Sequence, residues 1–136
     1  MAKRFALVAV FLMVFSVNGQ AADCLKYQPA SVELSGIVVP TMFYGPPNFG
    51  EDPKHDRKDI AAVLVLDKKI CVTGTDDNEK NVSRMQMVFQ EPPYGKQWNG
   101  KHVRVSGSLY HSDNALQYTN VLIWVVGVQP LAGAVK

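Results

Sequence analysis

Metal and redox chemistry have little to work with in this sequence, which holds two cysteines and three histidines. Cys24 and Cys71 show no C-x-x-C spacing and stand in no cluster with histidine, which disfavours a redox motif or a thiolate zinc site. His55, His102 and His111 lack the i, i+2 or i, i+4 spacing of a preformed metal site and are expected to be solvated. The expectation is therefore no cofactor and no bound metal.

Excess positive charge is missing too. Lys3 and Arg4 are the only charged residues among the first 21, so twelve basic and twelve acidic side chains remain beyond them. A domain that binds phosphates through a basic face needs a surplus, so a nucleic-acid partner is not expected. Long apolar runs are absent as well. The run Phe5 to Val17 has 13 residues, short of the roughly 20 needed to cross a bilayer as a helix, so no membrane span is expected in the mature chain.

Signs of catalysis are equally sparse. Ser106-Gly107-Ser108 falls inside a strand pattern and not on a strand-to-helix elbow. Glu51-Asp52 and Asp76-Asp77 are loop neighbours that point apart, and Thr75 to Glu79 lacks the ligand order of a calcium loop. The chain is expected not to be an enzyme.

What the sequence does contain begins with an address. Lys3 and Arg4, the apolar run and then Gly19-Gln20-Ala21 form the three parts of a secretory signal peptide, with cleavage after Ala21. Residues 22–136 then make a single β-barrel domain with its core at about 30–129, since the remaining 115 residues suffice for one core and not two. In an oxidising compartment Cys24 and Cys71 are expected to form one disulfide, closing a loop of 48 residues. The protein is accordingly expected in the periplasm or secreted.

Strand periodicity dominates the mature part. Ser31 to Val39 starts in alternation and passes Gly36, where a bulge or sharp coil is expected. Ile60 to Leu66 is a continuous apolar run, broken by Asp67-Lys68-Lys69 before Ile70-Cys71-Val72, which predicts a tight hairpin or a kinked strand. Ser83 to Gln90 places Met85, Met87 and Phe89 on one face, and Lys101 to Tyr110 places Val103, Val105 and Leu109 inward. Thr119 to Val128 is the most apolar strand and is expected to be covered on both faces. Pro40 to Asp59 reads as a long loop, and Tyr94 to Gly100 as a helix of a turn or two.

This order fits an all-β fold. It predicts a small five- to six-stranded Greek-key (OB-like) barrel with one short helix before the penultimate strand. Gly36 and Gly107 mark places where side chains would obstruct the closing bend, and a flattened six-stranded sandwich is the alternative.

The words Val32-Glu33-Leu34-Ser35-Gly36, Gly45-Pro46-Pro47-Asn48-Phe49, Leu66-Asp67 with Ile70-Cys71-Val72, and Gly100 to Tyr110 (G-K-H-V-R-V-S-G-S-L-Y) carry a resemblance. With its V-x-L-x-G, G-P-P-N-[YF] and V-x-V-x-G-x-L motifs, the chain resembles an uncharacterised family of exported bacterial domains of unknown function. The resemblance implies export to the bacterial envelope and a compact β domain, and brings no activity. A G-H-H-H-T-like segment of that family is replaced here by Asn114 to Thr119, so any metal site those histidines form is lost.

Binding is left to the loops. Phe43, Tyr44, Asn48 and Phe49 surround a stiff Pro46-Pro47 pair, and Tyr94 and Trp98 follow Pro92-Pro93 in the same style. Rigid aromatics on loops suit contact with a protein, a glycan or a small molecule, or else they fold back to plug the barrel end. The expected function is a non-enzymatic binding or interaction module for an envelope protein, glycan or small molecule. The alternatives are an inhibitor or accessory of a larger envelope enzyme, or a metal-binding protein.

Overall fold

The computed structural model describes residues 23–131, so the expected leader, residues 1–21, lies outside the described residues. Six strands follow in order: β1 (Leu25–Lys26), β2 (Ser31–Tyr44), β3 (Lys58–Thr73), β4 (Asn78–Val88), β5 (His102–His111) and β6 (Val121–Pro130). Pairing runs β2-β3-β4-β6-β5 and returns to β2, which closes a five-stranded barrel; β1 adds to β3 as a sixth strand. The β4–β6 contact is parallel, and the other four contacts of the barrel are antiparallel.

Closure depends on strands that serve two partners. Ser31 to Ile37 of β2 pair with β5, whereas Gly36 to Tyr44 pair with β3, so the strand changes neighbours at Gly36. A Cβ at Gly36 would overlap the Val65 carbonyl oxygen, and one at Gly107 would overlap that of Trp124. Gly107 also lies where the β5–β6 register slips, between Ser106 and Gly107. Both glycines thus mark a close backbone approach, as expected.

Alternation fills the interior. Val32, Leu34, Val38, Leu64, Val72, Met85, Met87, Val103, Val105, Leu109, Val121 and Ile123 form one buried cluster, with Phe89 and Trp98 packed against it. Cys24 and Cys71 form the expected disulfide, with Cα atoms 4.7 Å apart. The bridge holds β1 beside the end of β3, where Leu25 pairs with Val72. With only two residues, β1 has too little periodicity to be seen in the sequence.

Several boundaries differ from expectation. Pro40 to Tyr44 is strand, not loop, and the connection shrinks to residues 45–57. Proline is tolerated because the Val38 N–H donates to the Lys101 carbonyl on the β5 side. Two residues on, the Pro40 nitrogen faces that same side, away from β3, so no ladder bond is lost. Asp67-Lys68-Lys69 is the kinked-strand alternative: β3 continues through it while its register with β4 shifts between Val65 and Ile70.

The helix expected at Tyr94 to Gly100 is only a 3₁₀ turn, Lys96–Trp98. Gly95 and Gly100 have φ of 81° and 76°, left-handed values that stop a helix on both sides. β6 is covered on both faces only at Val121, Leu122 and Ile123. Its pairing with β4 ends at Trp124, and beyond that point Val126 is 78% exposed.

Val63 and Leu122 need a separate explanation, because each is fully buried while its neighbour, Leu64 or Ile123, faces the core. Alternation puts them on the outer face. Both pair with Gln86 of β4, where the Thr119 hydroxyl accepts from the Gln86 N–H at 2.8 Å. The Gln86 side-chain oxygen in turn accepts from the Tyr118 N–H at 2.8 Å. The β5–β6 connection is thereby tied down over this part of the outer face.

Candidate functional site

The aromatic loop is built on two carboxylates. Asp56, 7% exposed, accepts the N–H groups of Asn48 and Gly50 at 2.7 Å and of Asp52 at 3.2 Å. Burial pushes this carboxyl up, but the three backbone donors outweigh it and hold the group below its ordinary range. The loop is thus wound around an internal anion. At its base Asp59 accepts two bonds from Arg57, at 2.6 and 2.8 Å, and one from the Tyr118 hydroxyl at 2.5 Å. Arg57 first, and Tyr118 second, hold the Asp59 carboxyl down to about 2.

The expected binding residues therefore divide. Phe43 lies flat on Tyr118, with ring centroids 4.6 Å apart. Tyr44 sits beneath Gly50, and Asn48 contributes its backbone to the Asp56 cradle. Trp98 packs against the core with the Lys101 ammonium 5.7 Å from its ring centroid. Phe49 and Tyr94 point outward, 42% and 56% exposed. These two share a backbone feature: each stands within two residues after a Pro-Pro pair, has a positive φ (51° and 53°) and precedes a glycine with positive φ. A bulky residue in that region is an outlier held by its surroundings. Tyr94 also lines a groove of about 230 Å³ with Ile60, Ala62, Met87 and Phe89.

A larger concavity lies at the other end of β3, and the sequence reading did not find it. A cleft of about 670 Å³ opens between β1, the β3–β4 hairpin and the end of β5. Its walls include Tyr27, Tyr110, His111, Asp76, Asp77 and Asp113. His111 meets the Glu79 carboxylate through Nε2 at 3.0 Å and the Ser112 carbonyl through Nδ1 at 3.1 Å. Both partners are acceptors, an arrangement that favours the ring protonated on both nitrogens. The bond to Glu79 raises its pKa against the opposing effect of burial.

Tyr27 meets the His111 ring edge-on, with centroids 6.2 Å apart. Burial, then Glu79 and Asp77, push the Tyr27 phenol up, and its hydroxyl is buried without a hydrogen-bond partner among the described residues. Burial and then Asp113 do the same to the Tyr110 phenol. The signal available in the sequence was Tyr27 three residues after Cys24, placed by the disulfide beside Gly74 of the hairpin. Of the histidines expected to be solvated, His55 is, with its side chain 76% exposed beside Asp52 at 2.7 Å, whereas His102, which meets Asp67 at 2.7 Å, and His111 are half-buried.

Residues 84–129 match the family described as a domain of unknown function (DUF4431). The match runs from β4 through β6, about a third of the chain, and includes the Gly100 to Tyr110 run. Val32 to Gly36 and Gly45 to Phe49 lie outside it, as do Tyr27 and the acidic hairpin. Tyr110, His111 and Asp113 lie inside the matched segment, which thus supplies three of the eleven residues that line the cleft. No curated protein matches the chain. No helix among the described residues is long and apolar enough to cross a membrane.

Proposed function

We propose that this chain is an exported, non-enzymatic binding module of the bacterial envelope that holds a small polar ligand in the Tyr27–His111 cleft. The observation that carries this reading is the convergence in one concavity of two tyrosines and a histidine, all with displaced pKa values, beside three carboxylates. A binding role is supported by His111, whose two ring nitrogens are both taken up by acceptors within the protein, Glu79 and the Ser112 carbonyl. The disulfide supports an oxidising compartment, periplasmic or extracellular, following loss of residues 1–21. The strand order, with its parallel β4–β6 contact, supports an OB-like Greek-key barrel spanning one domain.

A second reading is contact with a larger envelope protein through Phe49 and Tyr94, favoured by their outward display on constrained turns. One experiment separates the two. Native mass spectrometry of the protein purified from envelope extracts should show a bound small molecule that Tyr110→Ala releases, while Phe49→Ala and Tyr94→Ala retain it. Retention in Tyr110→Ala, with loss of a protein partner in Phe49→Ala or Tyr94→Ala, would reverse the assignment.

A further inference from the structure

We infer that the cleft takes an organic cation bearing N–H groups, an ammonium or guanidinium carried by a small amine or by a basic side chain; this rests on the cleft being the binding site proposed above. Charge comes first. Asp76, Asp77 and Asp113 line the cleft and Glu79 stands behind His111, against Lys26 and His111 as the cations. His111 is neutralised by Glu79 at 3.0 Å, with Asp77 at 4.0 Å as a weaker partner. Lys26 directs its ammonium to the Thr73 hydroxyl at 3.0 Å. The lining is left net negative, which repels an anionic ligand and attracts a cationic one.

The tyrosines narrow the class. Tyr27 and Tyr110 bring aromatic rings into an acidic cleft, and ring faces attract cations. The Tyr27 hydroxyl has no hydrogen-bond partner among the described residues, an isolation that costs stability until something bonds to it. An ammonium or guanidinium supplies donors that this oxygen can accept, whereas a quaternary ammonium supplies none. The volume, about 670 Å³, falls in the range of small-molecule sites. Neutral sugars would match the tyrosines and leave the carboxylates without a counter-charge.

The test is calorimetric titration of the purified protein with spermidine and trilysine as cations, tetramethylammonium as a cation without N–H, and N-acetylglucosamine and glutamate as neutral and anionic probes. Amide shifts by NMR would locate each response. Spermidine or trilysine should bind at the cleft, weaken as salt rises, and weaken by up to about fivefold with each of Asp76→Asn, Asp77→Asn and Asp113→Asn. Tyr27→Phe should weaken them too while preserving the fold. Tighter binding of spermidine assigns a free amine as the source; tighter binding of trilysine assigns a basic segment of a partner. Equal binding of tetramethylammonium and spermidine, or indifference to the Asn substitutions, would overturn the inference. If N-acetylglucosamine or glutamate shifts Tyr110 and His111 and the cations do not, the cleft stands and its cation preference falls. If no probe shifts these residues, both readings fail.

Discussion

Phe43 and Tyr118 stack with their planes 4° from parallel, although 75 positions of sequence separate them. The stack ties the start of the Gly45–Arg57 connection to the β5–β6 loop, and the Tyr118 hydroxyl completes the tie at Asp59. Tyr118→Phe should keep the stack and remove one of the donors that hold Asp59 down. The Asp59 carboxyl should then titrate above its present value of about 2, read by carbon-detected NMR. Tyr118→Ala should in addition lose the ring pairing, about 1 kcal/mol in denaturant unfolding.

Asp59 and His111 bracket a pH window. The Asp59 pKa is lowered, so its stabilisation is present above its ordinary value of 3.8 and fades as pH falls toward about 2. The His111 pKa is raised, so its stabilisation is full below its ordinary value of 6.5 and is lost as pH rises through the higher folded value. Thermal melts should therefore be highest between these limits. Glu79→Gln should lower stability by about 1 kcal/mol on the acid side of neutrality and flatten the alkaline decline.

Gly36 and Gly107 should be intolerant of any side chain. At each, a methyl group would meet a carbonyl oxygen of the neighbouring strand, and backbone cannot swing aside as a flexible side chain can. Gly36→Ala or Gly107→Ala should cost about 1–3 kcal/mol in chemical denaturation, with larger residues costing more. Gly127→Ala is the comparison: its Cβ would meet only the Ser106 hydroxyl, at 3.0 Å, and the loss should be smaller.

Removing both sulfurs, as Cys24→Ser with Cys71→Ser, should destabilise the chain by about 4 kcal/mol on loop-entropy grounds. The loss should be local before it is global. Hydrogen exchange should show residues 25–27 opening first, since β1 is held by two paired residues, an isolated bridge from Tyr27 to Leu109 and the bond itself. Exchange at β5 and β6 should quicken only by as much as the fall in global stability requires.

The barrel was legible because its interior follows a period of two: Val32 with Leu34, Met85 with Met87, and Val103 with Val105 share a face by alternation, and all six are buried. The disulfide followed from there being two cysteines and an export signal. Pro40 misled the reading, because a proline signals the end of a strand until one knows which edge its nitrogen faces. Val126 misled it differently, since an apolar residue on an outer face looks the same in sequence as one in the core. The cleft was invisible for a further reason: Tyr27, Asp77 and His111 are brought together by a sulfur bridge and a hairpin, with no periodicity linking them.

Beyond Ile37, no described strand pairs with the β5 side of β2, although the strand runs on to Tyr44. Such an uncovered rim is a template on which another molecule's strand could grow. Pro40 breaks the row of donors in the middle of that rim. Replacing the residue that obscured the strand in the sequence with valine would restore that donor, and Pro40→Val should raise self-association in sedimentation velocity.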